Sequence, residues 1–196
     1  MKNFVYLASQ SPRRRQLLEQ IGVRYELLLP TPDEDAEALE MVLPGEAPLS
    51  YVKRVTQLKL EAAMLRLKTR NLPKGPVLCA DTTVGLGREI LGKPNNAQDA
   101  LRILKKLSGN THRVLTAVAI GEGKRRVSSV SISSVTFASM TSAEMKAYVA
   151  SGEPMGKAGA YGVQGLAAAH IAVIKGSYTG IMGLPLFETA DLLKQI

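Results

Sequence analysis

The sequence predicts an α/β fold, on three observations. Short apolar runs of strand character alternate with stretches in which apolar residues recur every three or four positions. One of those runs, Val77-Leu78-Cys79-Ala80, has the continuous apolar character of a buried strand and ends on a carboxylate, Asp81. No internal repeat, low-complexity tract or linker-like stretch divides the 196 residues, so any two lobes share one sheet. A chain of this length buries roughly 70% of its unfolded surface without help from disulfides, and one domain over residues 1–196 is expected.

Taken in order, Phe4–Ala8 is a first strand and Ser9-Gln10-Ser11-Pro12 the turn into a helix. Ser11 suits the N-cap, Pro12 the first helical position, Leu17, Leu18 and Ile21 an inner face, and Gly22 the stop. Arg13 and Arg14 are anomalous there, because cations in a first turn oppose the positive end of the helix dipole. Two readings stand at this point: a solvated basic turn, or a phosphate receptor built from helix amides, serine hydroxyls and guanidiniums. Val23–Leu29 reads as a second strand. Pro30–Asp35, with Asp33, Glu34 and Asp35, is either an exposed polar loop or a carboxylate donor to a hard cation such as Mg²⁺. Residues 36–48 look irregular.

Leu49–Lys68 is the longest helical pattern, with Val52, Val55, Leu58, Ala62 and Leu65 as its apolar stripe and Arg54 and Lys59 beside it. The buried strand to Asp81 follows, and a hairpin returns Lys93 toward that acid just before Pro94. Asn95 or Asn96 caps a helix with Ala97, Leu101, Leu104 and Leu107 inward and Gly109 at its end. Val114–Ile120 and Val127–Phe137 form a hairpin around Gly121–Lys124. The apolar phase changes at Ser133-Ser134, as a β-bulge would change it. Thr141 and Glu144 make a capping box for a helix through Ala150. Ser151–Gly165 carries five glycines yet matches neither the P-loop nor the dinucleotide pattern. Leu166–Ile174 reads as a strand, Lys175–Gly183 as a loop, and Leu184-Pro185 opens a last helix. Periodicity does not determine strand pairing.

The formal net charge of +8 favours an anionic partner. Nucleic acid fits poorly: there is no tryptophan, aromatics are few, zinc spacing is missing, and the basic residues are dispersed apart from Arg13-Arg14-Arg15. A small polyanion such as a nucleotide fits better. The single cysteine, Cys79, sits among apolar neighbours and forms no internal bridge, as in a reduced intracellular protein. No apolar leader opens the chain and no run approaches 18 apolar residues, so a cytoplasmic location is expected. His112 and His170 are read as structural residues.

Together these segments resemble the Maf family of nucleoside triphosphate pyrophosphatases. The likeness rests on LASQSPRR at Leu7–Arg14, Asp33-Glu34, the helix with Arg54 and Lys59, ADT at Ala80–Thr82, GKP at Gly92–Pro94, SGNTHRV at Ser108–Val114, AGAYGVQG at Ala158–Gly165 and GSYTGIMGLPL at Gly176–Leu186. It implies an elongated mixed, twisted sheet flanked by helices, with two lobes around a central cleft, as in inosine-triphosphate pyrophosphatases. It also implies hydrolysis of nucleoside triphosphates to monophosphate and pyrophosphate with a divalent cation, Mg²⁺ or Mn²⁺. Asp81 would activate water or hold the metal, with Glu34 assisting. Arg13, Arg14, Lys59 and Lys93 would meet the phosphates and Ser9 would contribute at the first loop. THRV and AYGVQG resemble the branch acting on dTTP and UTP, with Thr82 and Gln164 where that branch places base-reading or nearby polar groups. CTP and modified pyrimidine nucleotides are further candidates, and 7-methyl-GTP is the second choice of substrate. A homodimer is implied, without a stable nucleic-acid partner. The rival classes are a nucleic-acid-binding or division-regulating protein without hydrolase activity, and a phosphatase releasing orthophosphate.

Overall fold

The computed structural model describes residues 1–35 and 38–196. Its elements are β1 (Phe4–Leu7), α1 (Pro12–Gln20), β2 (Arg24–Leu27), α2 (Pro48–Thr69), β3 (Val77–Leu86), β4 (Glu89–Leu91), α3 (Ala97–Leu107), β5 (Thr111–Glu122), β6 (Arg125–Phe137), α4 (Ser142–Ala150), β7 (Ile171–Lys175), α5 (Tyr178–Met182) and α6 (Leu186–Gln195). The strands form one mixed sheet in the order β2-β1-β3-β5-β6-β7, with β4 on the edge of β3. β1 runs parallel to both β2 and β3, and the remaining pairs are antiparallel.

The sheet divides at the middle of β3. Along one edge β5 pairs with β3 from Val77 to Gly85. On the other edge β1 reaches only Val77 and Leu78, and β4 begins at Val84. Asp81, Thr82 and Thr83 therefore lie where two neighbours have diverged, the arrangement in which open α/β sheets form crevices. The strand does not end at the acid, as its apolar run suggested; Asp81 is central in a ten-residue strand.

Two regions of core share these central strands. Leu78, Ala80, Val118 and Ile120 pack with α1, β1 and α6, whereas Val84, Val114, Val135 and Phe137 pack with α3, α4 and the loop through Tyr161. α2 covers the neighbouring face through Val52, Val55, Leu60 and Ala63. Its inward stripe differs from the expected one: Leu58 and Leu65 are exposed, while Thr56, Ala63, Arg66 and Leu67 are buried. Counting aliphatics alone rotated the stripe, because one inward position belongs to Arg66, whose charge Glu34 balances.

Local chemistry explains the caps. Asn96 accepts from the Asp99 amide at the start of α3, and Thr141 and Glu144 form the full capping box of α4. Ser11 occupies the N-cap of α1 but makes no side-chain cap bond. The β5–β6 register is unbroken through Ser133 and Ser134, so no bulge lies there; the irregularity is at Thr136/Phe137, opposite β7. The apolar phase changes because the covering layer changes. Val130 faces the α2 cluster, and Val135 and Phe137 face the α3–α4 cluster. Leu166–His170 is a 3₁₀ helix preceding β7 rather than part of that strand, and α5 occupies the stretch expected as loop. The irregular segment 36–48 contains a 3₁₀ turn at Ala38–Glu40; Ala36 and Glu37 lie outside the described residues.

His112 is buried under the second core. Its Nε2 lies 2.8 Å from the Tyr161 hydroxyl, and the Phe137 and Tyr161 rings meet it edge-on. Nδ1 has no partner among the described residues. Burial pulls the imidazole down from 6.5 to about 4. A depressed histidine contributes stability that is complete above its unfolded value and is lost as pH falls through the folded one. Folding free energy is expected to drop by roughly 2–3 kcal/mol from this group as pH falls from near 6.5 toward 4. Denaturant unfolding across that window checks this: His112→Gln should flatten the decline, and an unchanged slope would remove His112 as its origin.

Candidate active site

The divide in the sheet opens into a cleft of about 510 Å³. Loops from both sides meet there. The turn after β1 brings Ser9 and the first turn of α1, the segment after β4 brings Lys93, and α2 brings Lys59. The far wall comes from Gly156–Gln164, and Met182-Gly183 closes the end of α5.

Asp81 is buried and its Oδ1 accepts from Lys59 Nζ at 2.6 Å. The same ammonium donates to Glu40 Oε1 at 2.7 Å, and Lys93 Nζ donates to Glu40 Oε2 at 2.8 Å. The acid on β3 and the lysine after the β3–β4 hairpin are thus joined through Glu40 and Lys59. Burial raises the Glu40 carboxyl, but Lys59 and Lys93 outweigh it and hold the group at about 2.

The arginines are fixed beside Asp81, on the side of Thr82. Arg14 donates through Nε to the Gly183 carbonyl at 2.7 Å and through its terminal nitrogens to Ser9 Oγ at 3.0 Å and Thr82 Oγ1 at 3.4 Å. Thr82 is held in turn by Thr116 at 2.9 Å, and Thr116 donates to the Gly180 carbonyl. Arg13 Nε donates to the Met182 carbonyl at 3.2 Å. Burial lowers both guanidiniums from the ordinary arginine value, and for Arg14 the charge of Asp81 opposes that shift. Neither arginine has a carboxylate within ion-pair distance among the described residues. Two desolvated guanidiniums oriented by carbonyls, at a helix start with no acidic residue in its first turn, form an anion receptor.

Of the residues singled out in the sequence, the cleft gathers Ser9, Arg13, Arg14, Lys59, Asp81, Thr82, Lys93 and Gln164. Glu34 stands apart from Lys59 and Asp81. Its carboxylate takes a two-pronged contact from Arg66, with Nη2 to Oε2 at 2.6 Å, and it lies 3.6 Å from Arg70. Hydrogen bonds from Arg66 hold it at about 2 despite the opposing effect of burial. Arg54 is paired with Glu46, outside the cleft. Three charged residues lining the cleft were not among those singled out: Glu40, Arg66 and Lys157. For Arg66 a signal existed, since it lies seven residues after Lys59 and so on the same side of α2. Glu40 sat in a stretch without periodicity, and Lys157 among glycines.

Among the described residues no three His, Cys, Asp or Glu side chains gather as a protein-only metal cage. Asp81 and Glu40, both on Lys59, offer hard oxygen donors. That set fits a cation drawing its other ligands from phosphate oxygens and water.

A mixed sheet that parts at a buried acid, with a cation-rich cleft over the break, defines a protein built to receive a polyanion. The chain belongs to the Maf family: the family model described as Maf-like protein matches residues 4–196. It is 66% identical over 194 residues to the dTTP/UTP pyrophosphatase of Albidiferax ferrireducens, covering 99% of this chain and 97% of that one. It is 67% identical over 192 residues to the dTTP/UTP pyrophosphatase of a Polaromonas species, covering 98% and 95%. A third relative, the dTTP/UTP pyrophosphatase of Cupriavidus pinatubonensis, is 62% identical over 195 residues, covering 100% and 98%.

Proposed function

We infer that this chain is a nucleoside triphosphate pyrophosphatase that hydrolyses dTTP and UTP to the monophosphate and pyrophosphate. The observation that carries the reading is Asp81, buried at the break in the sheet with Lys59 on one oxygen and the Arg13–Arg14 corner beside it. Near-full-length likeness to relatives bearing that name supports the choice of substrate.

The reaction adds water across one phosphoanhydride bond. The water oxygen bonds to phosphorus, the bridging P–O bond between the α- and β-phosphates breaks, and pyrophosphate departs. The Asp81 carboxylate orients the water and takes its proton. Arg13, Arg14, Lys59 and Lys93 hold the phosphate oxygens, and their effect is large because the protein has already placed them in a partly dry cleft. Ser9 and Thr82 keep Arg14 aimed; Gln164 and Thr82 face the nucleoside. A divalent cation, Mg²⁺ or Mn²⁺, would be held by Asp81 with Glu40 and would supply charge neutralisation on the phosphates. Glu34 is held by Arg66 and does not line the cleft, so Glu40 is the better second donor. No helix among the described residues is long and apolar enough to cross a membrane. A cytoplasmic homodimer without a stable nucleic-acid partner completes the reading.

The test is a nucleotide panel of dTTP, UTP, CTP and 7-methyl-GTP, assayed with Mg²⁺ or Mn²⁺ for pyrophosphate and orthophosphate. Pyrophosphate from dTTP and UTP is expected. Preference for 7-methyl-GTP, release of orthophosphate, or salt-sensitive nucleic-acid binding without turnover would each overturn the reading. Within it, Lys93→Ala is expected to lower kcat/KM about tenfold or more while shifting stability by under about 1 kcal/mol, since the lysine is exposed and Glu40 keeps its contact with Lys59. Equal losses in both would make Lys93 a structural residue.

A further inference from the structure

Lys157 lies in the cleft wall opposite α1, on the glycine-rich loop that neither the P-loop nor the dinucleotide pattern explained. That loop is built rather than slack. The Glu153 carboxylate accepts from the Tyr148 hydroxyl at 2.9 Å and from the Leu166 amide at 2.8 Å. A Cβ at Gly165 would come within 2.3 Å of that carboxylate, so a larger residue there would have to push the Glu153 side chain off its hydrogen-bonded position. The Gly159 amide donates to the Gly92 carbonyl, docking the loop beside Lys93. Ala160 is held at φ 59, a left-handed conformation that a residue with a Cβ tolerates only when its surroundings impose it.

Within this frame the Lys157 stem lies along Gly162, where a Cβ would stand 3.3 Å from Lys157 Cε. Its ammonium donates to the Glu153 backbone carbonyl. A lysine without a counter-ion ordinarily extends into water. This one is half-buried and makes no ion pair among the described residues; burial and the nearby charge of Arg13 disfavour its ammonium, and the Glu153 carboxylate offsets them only in part. Lys59 and Lys93 differ, since Glu40 balances both. The protein therefore holds two like charges, Lys157 and Arg13, toward one cleft, neither of them in an ion pair among the described residues.

We propose that Lys157 is a further substrate-binding residue, which meets the phosphate chain from the lobe opposite Arg13 and Arg14, so that a bound triphosphate bridges the two lobes. This rests on the nucleotide reading above, but its binding test does not need turnover. Inorganic tripolyphosphate, titrated calorimetrically into the full chain, is the probe. Lys157→Met is expected to weaken its binding about tenfold, with an unchanged thermal midpoint. It should raise KM for dTTP and UTP by a similar factor and leave the preference between them unchanged. Lys157→Arg should recover most of the affinity. If Lys157→Met fails to fold, Lys157→Gln, which keeps a donor without the charge, is measured instead. Wild-type tripolyphosphate affinity in the uncharged variant would overturn the proposal, as would a change confined to one base. So would equal failure of the arginine variant, which would make the residue a brace for the loop. Wild-type protein that releases pyrophosphate from no nucleotide would sink the hydrolase reading and leave the calorimetric comparison intact.

Discussion

Asp81→Asn is expected to leave the protein folded and to slow pyrophosphate release from dTTP by about 10²–10⁴-fold, the range for removal of a positioned general base. The amide matches the carboxylate in shape and still accepts from Lys59, which also retains Glu40 at 2.7 Å. Little folding energy therefore depends on the lost charge. Turnover depends on it directly, because an amide takes no proton from water. Thermal unfolding and single-turnover kinetics on the same preparation separate the two. Wild-type rates would remove Asp81 from the mechanism, and a large fall in thermal midpoint would make it a structural acid.

That acid was legible in the sequence because it ended an apolar run, and a carboxylate at that point of a buried strand requires a partner. Lys93 was legible through the hairpin that returns it, and Arg13-Arg14 through their conflict with the helix dipole. What could not be read was the agent that joins them. Glu40 lies in a segment whose position depends on long-range packing and not on periodicity. The middle of β3 was equally hidden: that β1 stops and β4 starts on either side of Asp81 is a fact about pairing, which alternation along one strand does not encode. The α2 stripe went wrong for a related reason. A buried arginine satisfied by Glu34 and by the Leu28 carbonyl counts as core, and a reading by hydropathy assigns that position to the surface.

Arg66→Met should carry the largest stability loss among the substitutions considered, about 3–4 kcal/mol. The guanidinium is buried on α2, with Nη1 on the Leu28 carbonyl at 2.9 Å and Nε and Nη2 on Glu34. Methionine keeps the stem's packing but leaves a carbonyl and a carboxylate without donors, so it isolates the polar contribution. Chemical denaturation reads the loss. A companion variant, Glu34→Gln, should lose less, since that side chain is about a third exposed and its amide still accepts from Arg66. If Arg66→Met were as stable as wild type, the segment 28–34 would be anchored by something other than this pair.

Glu40 has a consequence for life in a crowded ionic medium. Two of the cleft's lysines are occupied before any ligand arrives, so a visiting anion must displace an internal competitor that never diffuses away. An orthophosphate seated on Lys59 and Lys93 alone would replace those two contacts and gain little by the exchange. A triphosphate long enough to reach the guanidiniums of Arg13 and Arg14 as well gains contacts that no tethered side chain was supplying. At the lysine end of the cleft the resting ion pairs would thus favour a longer ligand, since a small anion there competes with Glu40 on equal terms.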